Sequence, residues 1–412
     1  MKNELIFKAI GEVDDRYILE AAPAVTRKTQ KQTWVKWIAI AACLALFVYA
    51  GSKLLPSRDI VQPDIPPIGD ITKADNPPEE VAMHPSGLPM LTIAADSGGY
   101  GFEGFSAYDI SQLENDNPWT VDSQLESLPV FRNTTQSDSA GIPIHGLSAD
   151  EMLARAKDAA DTLGLVIDKS YVTEETAYIN PNEQITVPGA AIVECGDIEI
   201  FVWPDGWLRI MMKESLSLPE QYKFNDDLSD EQATETLEYL IAEYAGIVDM
   251  KSPALAISAR YGRDGGRSLT YKVYEGSGDL TEKILGYNFN YTIFCPDFDD
   301  NLHIIHRYNY DLSEKVGDYP IISAQQAKEL LLNGNYITSV PYEIPGPEYV
   351  KKIELVYRVT SFEEVYMPYY LFYIELPETE LENGIKSYGF YYVPAIHSDY
   401  ISNMPVWDGS FQ

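Results

Sequence analysis

The chain has 412 residues and carries 63 Asp and Glu against 30 Lys and Arg, a formal net charge of −33. So acidic a chain excludes nucleic-acid binding, which relies on Lys and Arg to displace counterions. Only three cysteines are present, which excludes a disulfide scaffold, while 45% hydrophobic residues supply ample material for a core.

Residues 3–22 place Ile6, Ala9, Ile10, Val13 and Tyr17 at spacings of three and four, which predicts an amphipathic helix stopped by Pro23. An isolated helix of this length is marginal in water, so its apolar stripe is a candidate partner-binding face. Residues 37–52 hold no charge, and the stretch 37–55 is long enough to cross a membrane as a helix. Trp34, Trp37 and Tyr49 stand where interfacial aromatics belong. Residues 1–36 sum to +2 and the remainder to −35, so the positive-inside rule predicts a cytoplasmic head and an extracytoplasmic body. Val48-Tyr49-Ala50 offers a cleavage signature, but the polar region before the apolar run is long for a signal peptide. Ile40-Ala41-Ala42-Cys43 has a lipobox order, yet most of the apolar stretch follows Cys43.

Between 56 and 89 there are eight prolines in 34 residues, which predicts an extended, semi-rigid stalk. Residues 90–146 read as short strands and loops. Three capping boxes follow, Ser148…Glu151, Ser229…Gln232 and Ser323…Gln326, each opening a helical stripe and each followed by a glycine stop at Gly164, Gly246 or Gly334. Strands are predicted over 191–195, 198–203, 207–212, 254–261, 268–274, 286–295, 302–310, 353–359, 369–376 and 388–393. Runs of strands after single helices predict an α+β body, antiparallel sheets each backed by a capped helix, in addition to the transmembrane helix. The expected organisation is a head (1–36), a span (37–55), a stalk (56–89) and outer subdomains at 90–220 and 221–412.

Chemistry-bearing motifs are few. Gly99-Tyr100-Gly101-Phe102-Glu103-Gly104 has the dinucleotide spacing, but no helical stripe follows it and Glu103 would repel a phosphate. Asp297, Asp299, Asp300 and Asn301 cluster oxygen ligands in one turn, a weak candidate for calcium because the glycine and glutamate of the EF-hand loop are missing. The five histidines show no zinc spacing, and no nucleophile elbow is present, so neither a cofactor nor a catalytic residue is expected. Cys195 and Cys295 could pair or stand as two thiols. Asn133-Thr134-Thr135 and Asn290-Tyr291-Thr292 match the glycosylation acceptor pattern. The 29 tyrosines outnumber Phe and Trp together, and pairs such as Tyr369-Tyr370 and Tyr391-Tyr392 alternate across strands. They form either an exposed platform for peptide or sugar or an ordinary consequence of strand propensity.

Ala9-Ile10-Gly11-Glu12-Val13-Asp14-Asp15, the approach Trp34-Val35-Lys36-Trp37 to the apolar run, and Gly101-Phe102-Glu103-Gly104 with Ala107-Tyr108-Asp109-Ile110-Ser111 resemble single-pass proteins of Gram-positive gut bacteria. That resemblance implies an anti-sigma-factor-like layout, in which a cytoplasmic stub holds a regulator such as a sigma factor and the outer domain senses an unknown ligand. The chain lacks the His and Cys pattern of zinc-binding heads of that kind. Two expectations result: a membrane-anchored regulatory or sensory protein, or a stalked cell-surface module that binds wall polymer or peptide.

Overall fold

In the computed structural model the described residues are 82–94, 104–113, 116–137, 143–180, 183–225, 228–262, 265–297, 299–379, 381 and 384–407. The first elements are β1 (Phe105–Tyr108), β2 (Ser127–Arg132), α1 (Ala149–Thr162), β3 (Lys169–Asn180), β4 (Glu183–Cys195), β5 (Ile198–Val202) and β6 (Leu208–Leu216). Next come α2 (Asp230–Glu243), α3 (Ala245–Val248), β7 (Pro253–Tyr261), β8 (Arg267–Glu275), α4 (Leu280–Phe289), β9 (Asn290–Pro296) and β10 (Leu302–Asn309). The chain closes with β11 (Lys315–Pro320), α5 (Ala324–Leu332), β12 (Val350–Tyr357), β13 (Val365–Tyr366), β14 (Pro368–Glu375) and β15 (Lys386–Pro394).

The three serine boxes cap α1, α2 and α5, and in each both reciprocal hydrogen bonds are made. A fourth box, Asp279 with Glu282, opens α4, where the sequence pattern predicts the start of a strand. Each cap satisfies amide donors that the first turn leaves without intrahelical acceptors, worth about 1 kcal/mol. Gly164 and Gly334 take positive φ after their helices, as a left-handed stop requires. Gly246 instead lies inside α3, and the left-handed residue there is Asp249.

Twelve strands make one sheet in the order β12-β14-β15-β1-β7-β8-β9-β10-β6-β5-β4-β3, and β11-β2-β13 make a second. Every pairing between these strands is antiparallel. This corrects the α+β expectation: the molecule is mostly antiparallel sheet with few helices, not a set of sheets each backed by its own helix. The physical reason lies in non-local pairing. β10 joins β6 through His306 opposite Arg209, and β1 bridges β15 and β7, so groups of strands that look separate along the chain become one surface. The sheet thus runs unbroken between strands from 90–220 and strands from 221–412.

A second correction concerns the membrane. Among the described residues no helix is long and apolar enough to cross one. The longest, α1 and α2, have 14 residues each, roughly 21 Å at 1.5 Å per residue, against a hydrocarbon core of about 30 Å. The expected single-pass membrane topology, with its cytoplasmic N-terminus and extracytoplasmic body, therefore has no spanning helix in the described structure. The run 37–55, on which that expectation rests, lies outside the described residues. The end of the proline-rich stretch is described: Met83 bridges to Pro89, and Leu88 packs against a cluster that includes Tyr319 and Ile401.

Alternation within the strands sets two faces. On one face Val193, Ile200, Ile210, Ile305, Phe294 and Tyr271 stand side by side across six strands, each at most 1% exposed. Met152, Ala156 and Ala160 of α1 and Leu237 and Leu240 of α2 join the same core. At the β12-β14-β15 end both faces are covered. Tyr370, Phe372 and Ile374 of β14 enter one cluster with α4 and α5, while Leu371 and Tyr373 enter another with Tyr388.

Candidate functional site

The opposite face of the β3–β6, β8, β9 and β10 strands has a different character. Tyr171, Ile192, Phe201, Arg209, His306, Ile293 and Lys272 stand in register across seven strands, all of them half-buried. Their lateral neighbours cover them, but among the described residues no core cluster includes them. Beside this row runs a series of aromatic rings. Phe201 stacks on Trp203 at 5.7 Å and 17°, and Trp203 on Trp207 at 4.4 Å and 20°. Trp207 lies parallel to Tyr308 at 5.8 Å and 7°, and Tyr308 stacks on Tyr291 at 4.6 Å. Tyr310 continues the series from Tyr308 at 6.2 Å.

The local sequence explains the arrangement. Trp203 and Trp207 flank the turn Pro204-Asp205-Gly206, closed by Trp203 N–H donating to Trp207 O at 3.1 Å and by Gly206 at positive φ. Asp205 Oδ1 accepts from Trp207 N at 2.9 Å, which locks the turn. Antiparallel register then brings Tyr308 opposite Tyr291. The Arg209 guanidinium sits over both indoles, 5.2 Å from the Trp203 ring and 4.6 Å from the Trp207 ring. The Trp207 Nε1 donor is buried and has no acceptor among the described residues, an uncommon state for a buried polar atom. Burial raises the Tyr291, Tyr308 and Tyr310 hydroxyls far above the usual tyrosine range, with Asp205 adding to the effect, so all three stay protonated donors.

At one end the series meets a cleft of about 470 Å³ lined by Arg132, Asn133, His145, Leu147 and Glu314 among others. Leu147 N donates to Pro204 O at 2.8 Å, and the Tyr366 ring, 6.0 Å from Tyr310, donates its hydroxyl to Asn133 Oδ1 at 2.6 Å. The cleft wall is therefore tied to the aromatic series at two points.

The residues singled out from sequence fare unequally. The stripe Ile6, Ala9, Ile10, Val13 and Tyr17 lies outside the described residues, as does most of the Gly99–Gly104 motif. The Asp297 carboxylate accepts from the amides of Asp299 at 2.8 Å and Asn301 at 2.9 Å, so it organises its own turn. With Asp299, Asp300 and Asn301 it brings no third carboxylate to a shared point, and among the described residues no group of three His, Cys, Asp or Glu is placed to hold a metal. Cys195 and Cys295 form no disulfide with each other, one facing the helix-covered core and the other the open face. Asn133 is fully buried, its amide donated to Thr360 O and Glu363 O, so this acceptor motif is closed to glycosylation.

Tyr369, Tyr370 and Tyr391 are at most 2% exposed and Tyr392 is half-buried against the cluster that holds Tyr369, so these pairs furnish a core and not a platform. Tyr370 donates its hydroxyl to Ile322 O at 2.7 Å and Tyr391 to Tyr342 O at 2.9 Å. The aromatic series that does reach the surface comes from residues the pattern reading passed over. Its signal was available: two of six tryptophans flank one three-residue turn, and Phe201 and Trp203 alternate on one strand face. Comparison of the chain with protein-family models gives no match, and comparison with curated proteins gives none.

Proposed function

We propose that the protein is a binding module that holds an extended carbohydrate chain along the aromatic face, with the cleft at Arg132 and His145 receiving one end. The observation that carries this reading is the parallel set Phe201, Trp203, Trp207, Tyr308 and Tyr291 on the uncovered face of the large sheet. Aromatic side chains give rigid amphipathic contact area at low entropic cost, and here each ring already holds its neighbour in place. A sugar chain offers C–H faces to such rings and hydroxyls to the Arg209 and His306 side chains that share their face. A cleft of this size suits one or two sugar units and its lining is polar.

The test is a titration of the protein with soluble oligosaccharides, cello-, xylo- and chito-series, read by tryptophan fluorescence. Binding by at least one series is expected, with a tenfold or greater loss in Trp203→Ala and Trp207→Ala. If no series binds, or if both variants bind as the parent does, the reading fails. Saturable binding of an extended peptide at the same rings, with none of any sugar, would also overturn it.

A further inference from the structure

The cleft at the end of the aromatic series has a wall of its own chemistry. Arg132 closes β2 and Glu314 precedes β11, and Arg132 N donates to Glu314 O at 2.9 Å. This backbone bond sets the two side chains side by side in the lining of the 470 Å³ cleft. Only Nε of the guanidinium approaches the carboxylate, at 3.9 Å, which is too long for a hydrogen bond. Among the described residues the two terminal nitrogens of Arg132 have no assigned acceptor. The same holds for the His145 ring, the Thr134 hydroxyl and the Gly146 amide, which line the cleft with it.

The opposite side of the cleft is pressed onto the turn that carries the indoles. Gly146 lies at φ +149°, and a Cβ there would stand 2.7 Å from Pro204 O. A ligand unit in the cleft therefore sits beside the turn between Trp203 and Trp207.

A guanidinium with both terminal nitrogens open is a planar fork that matches a carboxylate through two parallel bonds. Glu314 is the one carboxylate among the described lining residues, and as an acceptor it calls for a hydroxyl. A neutral sugar would give the Arg132 fork only single hydroxyls. A bare anion would give Glu314 nothing to accept. A sugar unit with a carboxylate on one ring carbon and a hydroxyl on the next satisfies both side chains at once.

We propose that the cleft is a subsite for a uronic acid unit, with its carboxylate on the Arg132 fork and the adjacent ring hydroxyl donated to Glu314. The inference rests on the carbohydrate reading for its choice of a sugar body, and on the cleft alone for the acid group.

Saturation-transfer NMR on the full chain compares methyl glucuronoside with methyl glucoside, with neutral oligosaccharides as the probe of the aromatic rings. The acid is expected to bind about fivefold tighter than the glucoside, because a charge-assisted bidentate pair is stronger than neutral contacts. Arg132→Gln should erase the difference. Glu314→Gln removes a like charge but keeps an acceptor, so it should tighten the acid about twofold and leave the glucoside unchanged. Both side chains are more than half exposed, so neither variant threatens the fold. If neutral chains bind and need Trp203, yet the acid binds no better than the glucoside, this inference fails and the carbohydrate reading stands. If the acid binds through Arg132 while no neutral chain binds, the reading of an extended chain on the rings fails and the subsite stands. Acetate that displaces the acid at equal concentration overturns the subsite, since a bare carboxylate would then suffice.

Discussion

Two ends of one sheet teach different lessons. β5, β6, β9 and β10 bury one face under α1 and α2 and leave Phe201, Arg209, His306 and Ile293 on the other. β14, eight positions away from β5 in the strand order, has no open face at all, with seven of its eight residues buried. Both follow a period of two, so the strand itself does not decide which end is a core. What decides is the cover: β2, β11, α4 and α5 close over the second end, and its tyrosines find carbonyl acceptors there. A ring buried on both sides is committed to stability, whereas a ring on an open face is available for a ligand.

The largest effects should therefore come from the closed end. Phe372 is fully buried, so Phe372→Ala should cost about 3–5 kcal/mol in a urea-unfolding series, by lost transfer energy and a cavity. Next is the Arg358–Glu363 pair, in which both side chains are at most 3% exposed. Glu363→Gln leaves a buried guanidinium without its counter-charge and should cost about 3 kcal/mol by the same measurement. Losses below 1 kcal/mol for both would erase the distinction between the two ends.

Alkaline pH sharpens the contrast. Burial pushes Tyr319, Tyr336, Tyr370 and Tyr388 up to about 12. Unfolded tyrosines lose their protons near 10. Above that value the unfolded chain binds fewer protons than the folded one, so the stability these groups give is intact below pH 10 and is lost as pH rises toward 12. Lys272 acts with the opposite sign. Its amine is lowered to about 7, so below that pH the folded state bears the cost of a desolvated cation, relieved as pH climbs toward the unfolded lysine value. Lys272→Met should raise stability on the order of 1 kcal/mol at pH 6 and by less at pH 9, measured as a shift in urea midpoint. An equal shift at both pH values would contradict this.

The smallest structural effect belongs to the open face. Phe201→Ser should change stability by no more than about 1 kcal/mol while weakening any ligand held there, because little closes over that ring.

How much of this was legible in the sequence follows from the range of each signal. The serine boxes at 148, 229 and 323 are signals of four residues and all three formed. The box at Asp279 went unread because its cap is not serine and the apolar run after it also suits a strand. The single twelve-stranded sheet was not legible, since β6 meets β10 only after three intervening helices and three strands. Tyr369 and Tyr391 show the same limit from the other side: alternation predicts two faces but not whether β2 and α5 will cover the second. The Trp203–Trp207 turn was legible locally, but its partners Tyr308 and Tyr291 come from strands about a hundred residues on.

The most direct test of the central claim is affinity as a function of chain length. Oligosaccharides of two to eight units, from whichever series binds, would be titrated against the parent and against Trp203→Ala and Trp207→Ala. An aromatic face that holds an extended chain predicts affinity that climbs with length and then levels off, and a steeper loss for long chains than for short ones in both variants. Affinity independent of length, or variants that bind every length as the parent does, would contradict it.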